Sequence, residues 1–121
     1  MRINKIEWID EDEKEAILTV AGETCSLNCF SDPCFYKIGD IIKEPLECLD
    51  EADICACELK TFELRKLDGP FDYELGGILT DKEKGYLDVG GLCFHINANR
   101  IPHDIENGTY ITVIVSRVDV W

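Results

Sequence analysis

The chain is poor in positive charge. Twelve Lys and Arg stand against 25 Asp and Glu among 121 residues, a formal net charge of −13. Phosphate backbones and anionic membrane surfaces attract Lys/Arg patches, and the sequence holds none, which argues against nucleic acid and membrane as partners. Histidine is almost missing, with only His95 and His103. No Ser/His/Asp order, GxSxG elbow, P-loop or GxGxxG is present, so the usual nucleophile and phosphate-cradling signatures fail. No apolar run approaches the roughly 20 residues that span a bilayer. The opening MRINKIEWIDEDEKE lacks the apolar core of a signal peptide, so the expectation is a cytoplasmic protein.

What is present is globular: 45% hydrophobic and 31% charged residues. The length suits one domain, 1–121, which buries roughly two-thirds of the surface its unfolded chain exposes. Within it a phrase recurs. DEKEAILTVAGETCSLN (12–28) aligns with DKEKGYLDVGGLCFHIN (81–97), and at a constant offset of 69 residues 12–50 match 81–119 at nine of 39 positions. Composition alone gives about two or three. The matches include Gly22/Gly91, Pro33/Pro102 and Gly39/Gly108, residues that fix turns. The reading is two duplicated units, about 3–67 and 71–121, each a strand, turn, strand, loop and strand.

Local chemistry fills in these units. Tyr86, Leu87 and Val89 run into Gly90-Gly91, a pair suited to a two-residue hairpin that needs positive φ. Ala21 replaces the first glycine in the other copy, which favours a bulged or three-residue connection there. Cys25, Leu27 and Cys29 alternate with polar residues, as in a half-buried strand. In IIKEPLECL the strand should start after Pro45, which lacks a ladder donor, or lie at a sheet edge. ITVIVSRVDVW (Ile111–Trp121) reads as one closing strand. Residues 51–67 carry both helical and alternating patterns, and a long bulged strand is the preferred reading. Asp68-Gly69-Pro70 then turns between the units. The expected fold is mainly β, a small barrel or sandwich built from two duplicated β units, each a strand, turn, strand, loop and strand.

Gly77-Ile78-Leu79, Lys84-Gly85-Tyr86 and Phe94-His95 resemble the first strand, the Lys-Gly-aromatic turn and the Phe-x-His edge of cold-shock-type OB barrels. The resemblance covers about 25 residues and implies a small barrel. The family's base-stacking aromatics and surrounding Lys/Arg are not matched, so it does not imply nucleic-acid binding.

Seven cysteines invite a metal or disulfide reading, yet Cys25, Cys29 and Cys34 have no standard ligand spacing and the count is odd. They read as apolar bulk, with no metal and no cofactor expected. The acids fall into two runs. Asp10, Glu11, Asp12, Glu13 and Glu15 suit a solvated hairpin tip, and Glu44, Glu47, Asp50, Glu51 and Asp53 a charged edge. Residues 1–69 hold 17 acids and 8 bases, a net of −9, against −4 for residues 70–121. The first unit would therefore attract a cationic partner. The functional expectation is a non-catalytic acidic module that captures a basic protein, in one version an immunity-type inhibitor of a cationic toxin. The alternatives are a ligand-binding or enzymatic barrel with its pocket between the units, and a self-assembling scaffold using Ile111–Trp121 as an open edge.

Overall fold

A computed structural model describes all residues, 1–121, and its regular structure is almost wholly strands. In chain order they are β1 (Arg2–Asp10), β2 (Glu15–Ala21), β3 (Ser26–Ser31), β4 (Leu46–Leu49), β5 (Ala52–Ala56), β6 (Glu63–Lys66), β7 (Tyr73–Asp81), β8 (Tyr86–Val89), β9 (Leu92–His95), β10 (Tyr110–Val115) and β11 (Arg117–Asp119). The one helical element is a single 3-10 turn, Ala98–Arg100. The strands form one continuous, unclosed sheet in the order β1-β2-β3-β11-β4-β9-β8-β7-β10-β5, with β6 added on β7. The fold is a small sandwich-like, barrel-like β structure.

Alternation builds the core. Ala16, Leu18 and Val20 of β2 and Leu27 and Cys29 of β3 turn inward, while Thr19 and Asn28 meet outside through Thr19 Oγ1 and Asn28 Oδ1 at 3.0 Å. From the other half come Leu75, Leu79, Leu87, Phe94, Ile111 and Val113, all fully enclosed. One cluster of 25 buried residues joins both halves, and each large apolar side chain in it contributes about 1.5–3 kcal/mol.

The turns follow the residues that permit them. Gly90 and Gly91 take φ of 55° and 89° and close β8 on β9, whereas the β2–β3 connection needs four residues, Gly22 to Cys25. The two halves share three devices, at three different spacings. Lys14 and Gly85 occupy the positive-φ position of their hairpin tips, and Asp10 and Asp81 accept from the amides of Glu13 and Lys84. These positions lie 71 apart. Gly39 and Gly108, 69 apart, each donate to a first-strand carbonyl, Ile3 at 2.7 Å and Leu79 at 2.8 Å. The facing pairs Val20–Leu27 and Leu87–Phe94 lie 67 apart. A single gapless offset therefore does not describe the correspondence: Leu27 stands where Phe94 does, and not where Ile96 does. Every step is an even number, so the inward and outward alternation stays in phase.

Two expectations need correction. Ile111–Trp121 is not one strand and not an open edge. It breaks at Ser116, whose amide and hydroxyl both donate to the Leu49 carbonyl, at 3.0 and 3.2 Å. β10 then lies between β7 and β5, and β11 between β3 and β4. Residues 51–67 form no single strand either. They split into β5, paired with β10, and β6, paired with β7, because the connecting residues 57–62 pass from one partner to the other.

One buried group lacks a partner: the Ser31 hydroxyl, on a residue 1% exposed. An unpartnered buried hydroxyl costs about 1–3 kcal/mol. Ser31→Ala is expected to raise stability by about 1 kcal/mol, read as a higher urea midpoint at unchanged slope. A lower midpoint would mean that the hydroxyl is satisfied in solution.

Candidate functional site

The acidic run Asp10–Glu13 forms the tip of the β1–β2 hairpin. Asp10 Oδ1 accepts from the amides of Asp12 and Glu13 at 3.1 and 3.2 Å, which shapes the turn and leaves Glu11, Asp12 and Glu13 pointing to solvent. Glu15 is half-buried at the start of β2. None of these five carboxylates takes part in an ion pair. Beside them Trp8 is 38% and Ile9 50% exposed, and Lys14 Nζ lies 5.6 Å from the Trp8 ring centre. The tip thus combines free negative charge with apolar surface.

The second run is different in kind, because most of it is engaged within the molecule. Glu51 is only 8% exposed. Its carboxylate accepts from the Asn97 amide at 3.0 Å and approaches Arg100 Nε at 4.0 Å, while its carbonyl accepts from Arg100 Nη1. It ties β5 to the 3-10 turn of the other half. Asp50, at φ 53°, accepts from the Ser116 hydroxyl at 2.9 Å. Glu47 is held 2.7 Å from His95 Nδ1, since β4 and β9 run parallel with these two residues in register. Glu44 and Asp53 alone are exposed and unpaired. Three of the five acids of this run are thus engaged within the molecule.

The Glu47–His95 pair sits at the seam between the halves. Tyr86 meets the imidazole edge-on, with ring centres 6.0 Å apart. A cleft of about 340 Å3 opens on one side, lined by Glu44, Pro45, Tyr86 and Trp121. A second of about 620 Å3 opens on the other, where Asp50, Glu83, Lys84 and Asn99 contribute. The largest hollow, about 670 Å3, lies elsewhere, between the β7–β8 turn and the loop through His103. There Lys82 is tied down, its amide to Asn107 Oδ1 at 2.7 Å and its ammonium to the His103 carbonyl at 2.8 Å.

All seven cysteines are free, and Cys29, Cys34 and Cys48 are buried. Burial pushes the thiols of Cys25, Cys29, Cys48 and Cys93 up, which keeps them protonated and poorly nucleophilic. No cluster of three His, Cys, Asp or Glu side chains has metal-binding geometry. No helix is long and apolar enough to cross a membrane. Phe94 is fully buried, so it offers no face to a base.

Comparison with protein-family models, curated proteins and solved structures finds no match for this chain. The functional reading rests on the geometry.

Sequence reasoning missed two arrangements. Glu47–His95 depends on a parallel pairing between residues 48 positions apart, which has no local signature. Asp119 is 7% exposed and grips Arg117 through two bonds, at 2.7 and 2.9 Å, while that guanidinium lies 4.4 Å from the Phe30 ring centre. The alternation Arg117-x-Asp119 on one strand, which puts both on the same face, was the available signal.

Proposed function

We propose that the protein is a non-catalytic acidic module that captures a basic protein partner through its β1–β2 hairpin. The observation that carries this reading is the tip itself, where Asp10, Glu11, Asp12 and Glu13 are exposed and free of ion pairs beside the exposed Trp8 and Ile9. Such a surface steers a cationic partner over several ångströms and then offers an aromatic anchor. An inhibitor of the immunity type, whose carboxylates substitute for the phosphates a cationic toxin seeks, is one form it takes. The continuous sheet and its shared core supply a base for the hairpin, and Glu47, Asp50 and Glu51 act in support through their contacts within the molecule.

The test compares the parent with the fourfold variant D10N/E11Q/D12N/E13Q as baits in lysate of the native host. A basic protein held by the parent at low salt, released at moderate salt and not captured by the variant is the expected outcome. Its association rate should fall about tenfold or more on neutralisation at low salt and much less at high salt. Equal capture by both baits, or equal rates at low salt, would refute the proposal. A second reading, a ligand-binding barrel with its pocket between the units, has the Glu47–His95 pair and its flanking clefts in its favour. A small molecule retained through native purification would support it.

A further inference from the structure

Four aromatic rings already carry a cation belonging to the chain. Lys14 lies over Trp8 at 5.6 Å, Lys66 over Tyr73 at 5.7 Å, Lys84 over Tyr86 at 5.9 Å and Arg117 over Phe30 at 4.4 Å. Trp121 carries none, although it is 76% exposed. Its main chain is fixed: its carbonyl accepts from the Tyr36 hydroxyl at 2.6 Å, and the neighbouring Val120 amide donates to Phe30 at 2.9 Å. The residue borders two recesses. The larger, about 340 Å3, holds Glu44, Glu47, Tyr86 and His95. The smaller, about 220 Å3, holds Asp32 together with the closed Arg117–Asp119 pair. Each recess thus offers a carboxylate with no ion-pair partner, Glu44 in one and Asp32 in the other.

We propose that the recess between Trp121 and Glu44 binds a guanidinium or ammonium group. The indole supplies the aromatic face for the cation, Glu44 and Glu47 supply counter-charge, and Pro45 and Tyr86, whose ring already carries Lys84, line the recess. A cation over an indole is attracted by the ring quadrupole, and a nearby carboxylate adds Coulomb attraction in a partly desolvated space. His95 fixes Glu47 through its Nδ1 contact, so one carboxylate is oriented in advance while Glu44 remains free to close on the guest. The source is a Lys or Arg side chain of the basic partner, so this inference rests on the capture reading. It gives that partner a specific anchor besides the hairpin tip.

The experiment uses the whole protein, labelled with 15N, and follows its indole signals by NMR, with Trp8→Phe assigning the one from Trp121. The probes are acetyl-Gly-Arg-Gly-amide, its lysine counterpart, and the citrulline peptide, which keeps the arginine shape without the charge. A saturable millimolar shift of the Trp121 signal with arginine or lysine is expected, absent with citrulline. Glu44→Gln should weaken it about three- to fivefold. The fourfold hairpin variant should leave it unchanged, so failure of hairpin capture and failure of the recess are read separately. A shift that never saturates, one that citrulline reproduces, or one untouched by Glu44→Gln would overturn the proposal.

Discussion

Gly85→Ala is expected to destabilise the protein by about 3–5 kcal/mol, measured by urea unfolding. Two costs combine. The residue sits at φ 77°, where a Cβ is strained, and that Cβ would lie 2.0 Å from the Ile96 carbonyl oxygen. The obstacle is backbone, and it belongs to the residue whose amide donates to Gly85 at 2.8 Å, so relief of the clash opens the loop after β9. The other hairpin tip separates the costs. Lys14 takes φ 61° at the corresponding position, which shows that a side chain is accepted there when nothing crowds it. Lys14→Gly should therefore change stability by no more than about 1 kcal/mol. Equal stability of Gly85→Ala and the parent would mean that the β7–β8 tip relaxes freely.

Phe94→Ala is expected to cost about 3–5 kcal/mol and to lower the melting temperature by on the order of 10–20 °C in a calorimetric scan. The ring is the largest fully buried side chain, and its strand joins the halves: Leu87 lies opposite on β8 and Leu46 on β4. Removing it hollows out the seam where β4 and β9 run parallel, so neither half can collapse alone to fill the space. Phe94→Leu keeps most of the volume and should cost under about 1.5 kcal/mol. A small loss for alanine would place the stabilising packing elsewhere.

Much of the fold was legible because its signals are local. Gly90-Gly91 announces its turn, Leu27 and Cys29 their inward face, and Pro45 the start of β4 at Leu46. The break at Ser116 was not legible, because what bends the chain is the Leu49 carbonyl, 67 positions away. Nothing in VIVSRVD itself marks a strand end. The inward alternation shared by the two halves was legible, and the register of their turns was not, since shifts of two residues keep the same side chains inside. The site divided along the same line. The hairpin tip could be read from a run of acids around a turn, whereas Glu51 looks like its neighbours in sequence and is buried only because Asn97 and Arg100 arrive from the other half.

The placement of β11 carries a consequence for how the protein is made. β3 and β4 do not pair with each other; β11 comes between them, setting Asp119 beside Phe30 and Val118 beside Cys48. Synthesis delivers Phe30 and Cys48 long before Val118, at roughly 5–20 residues per second. For several seconds β3 and β4 each have an edge waiting for β11, and β4 a second one waiting for β9. Sequence-distant pairing of this kind is intrinsically slow. During that interval the edges of β3 and β4 are open to pairing with other chains, so the nascent chain is most exposed to aggregation before β11 arrives.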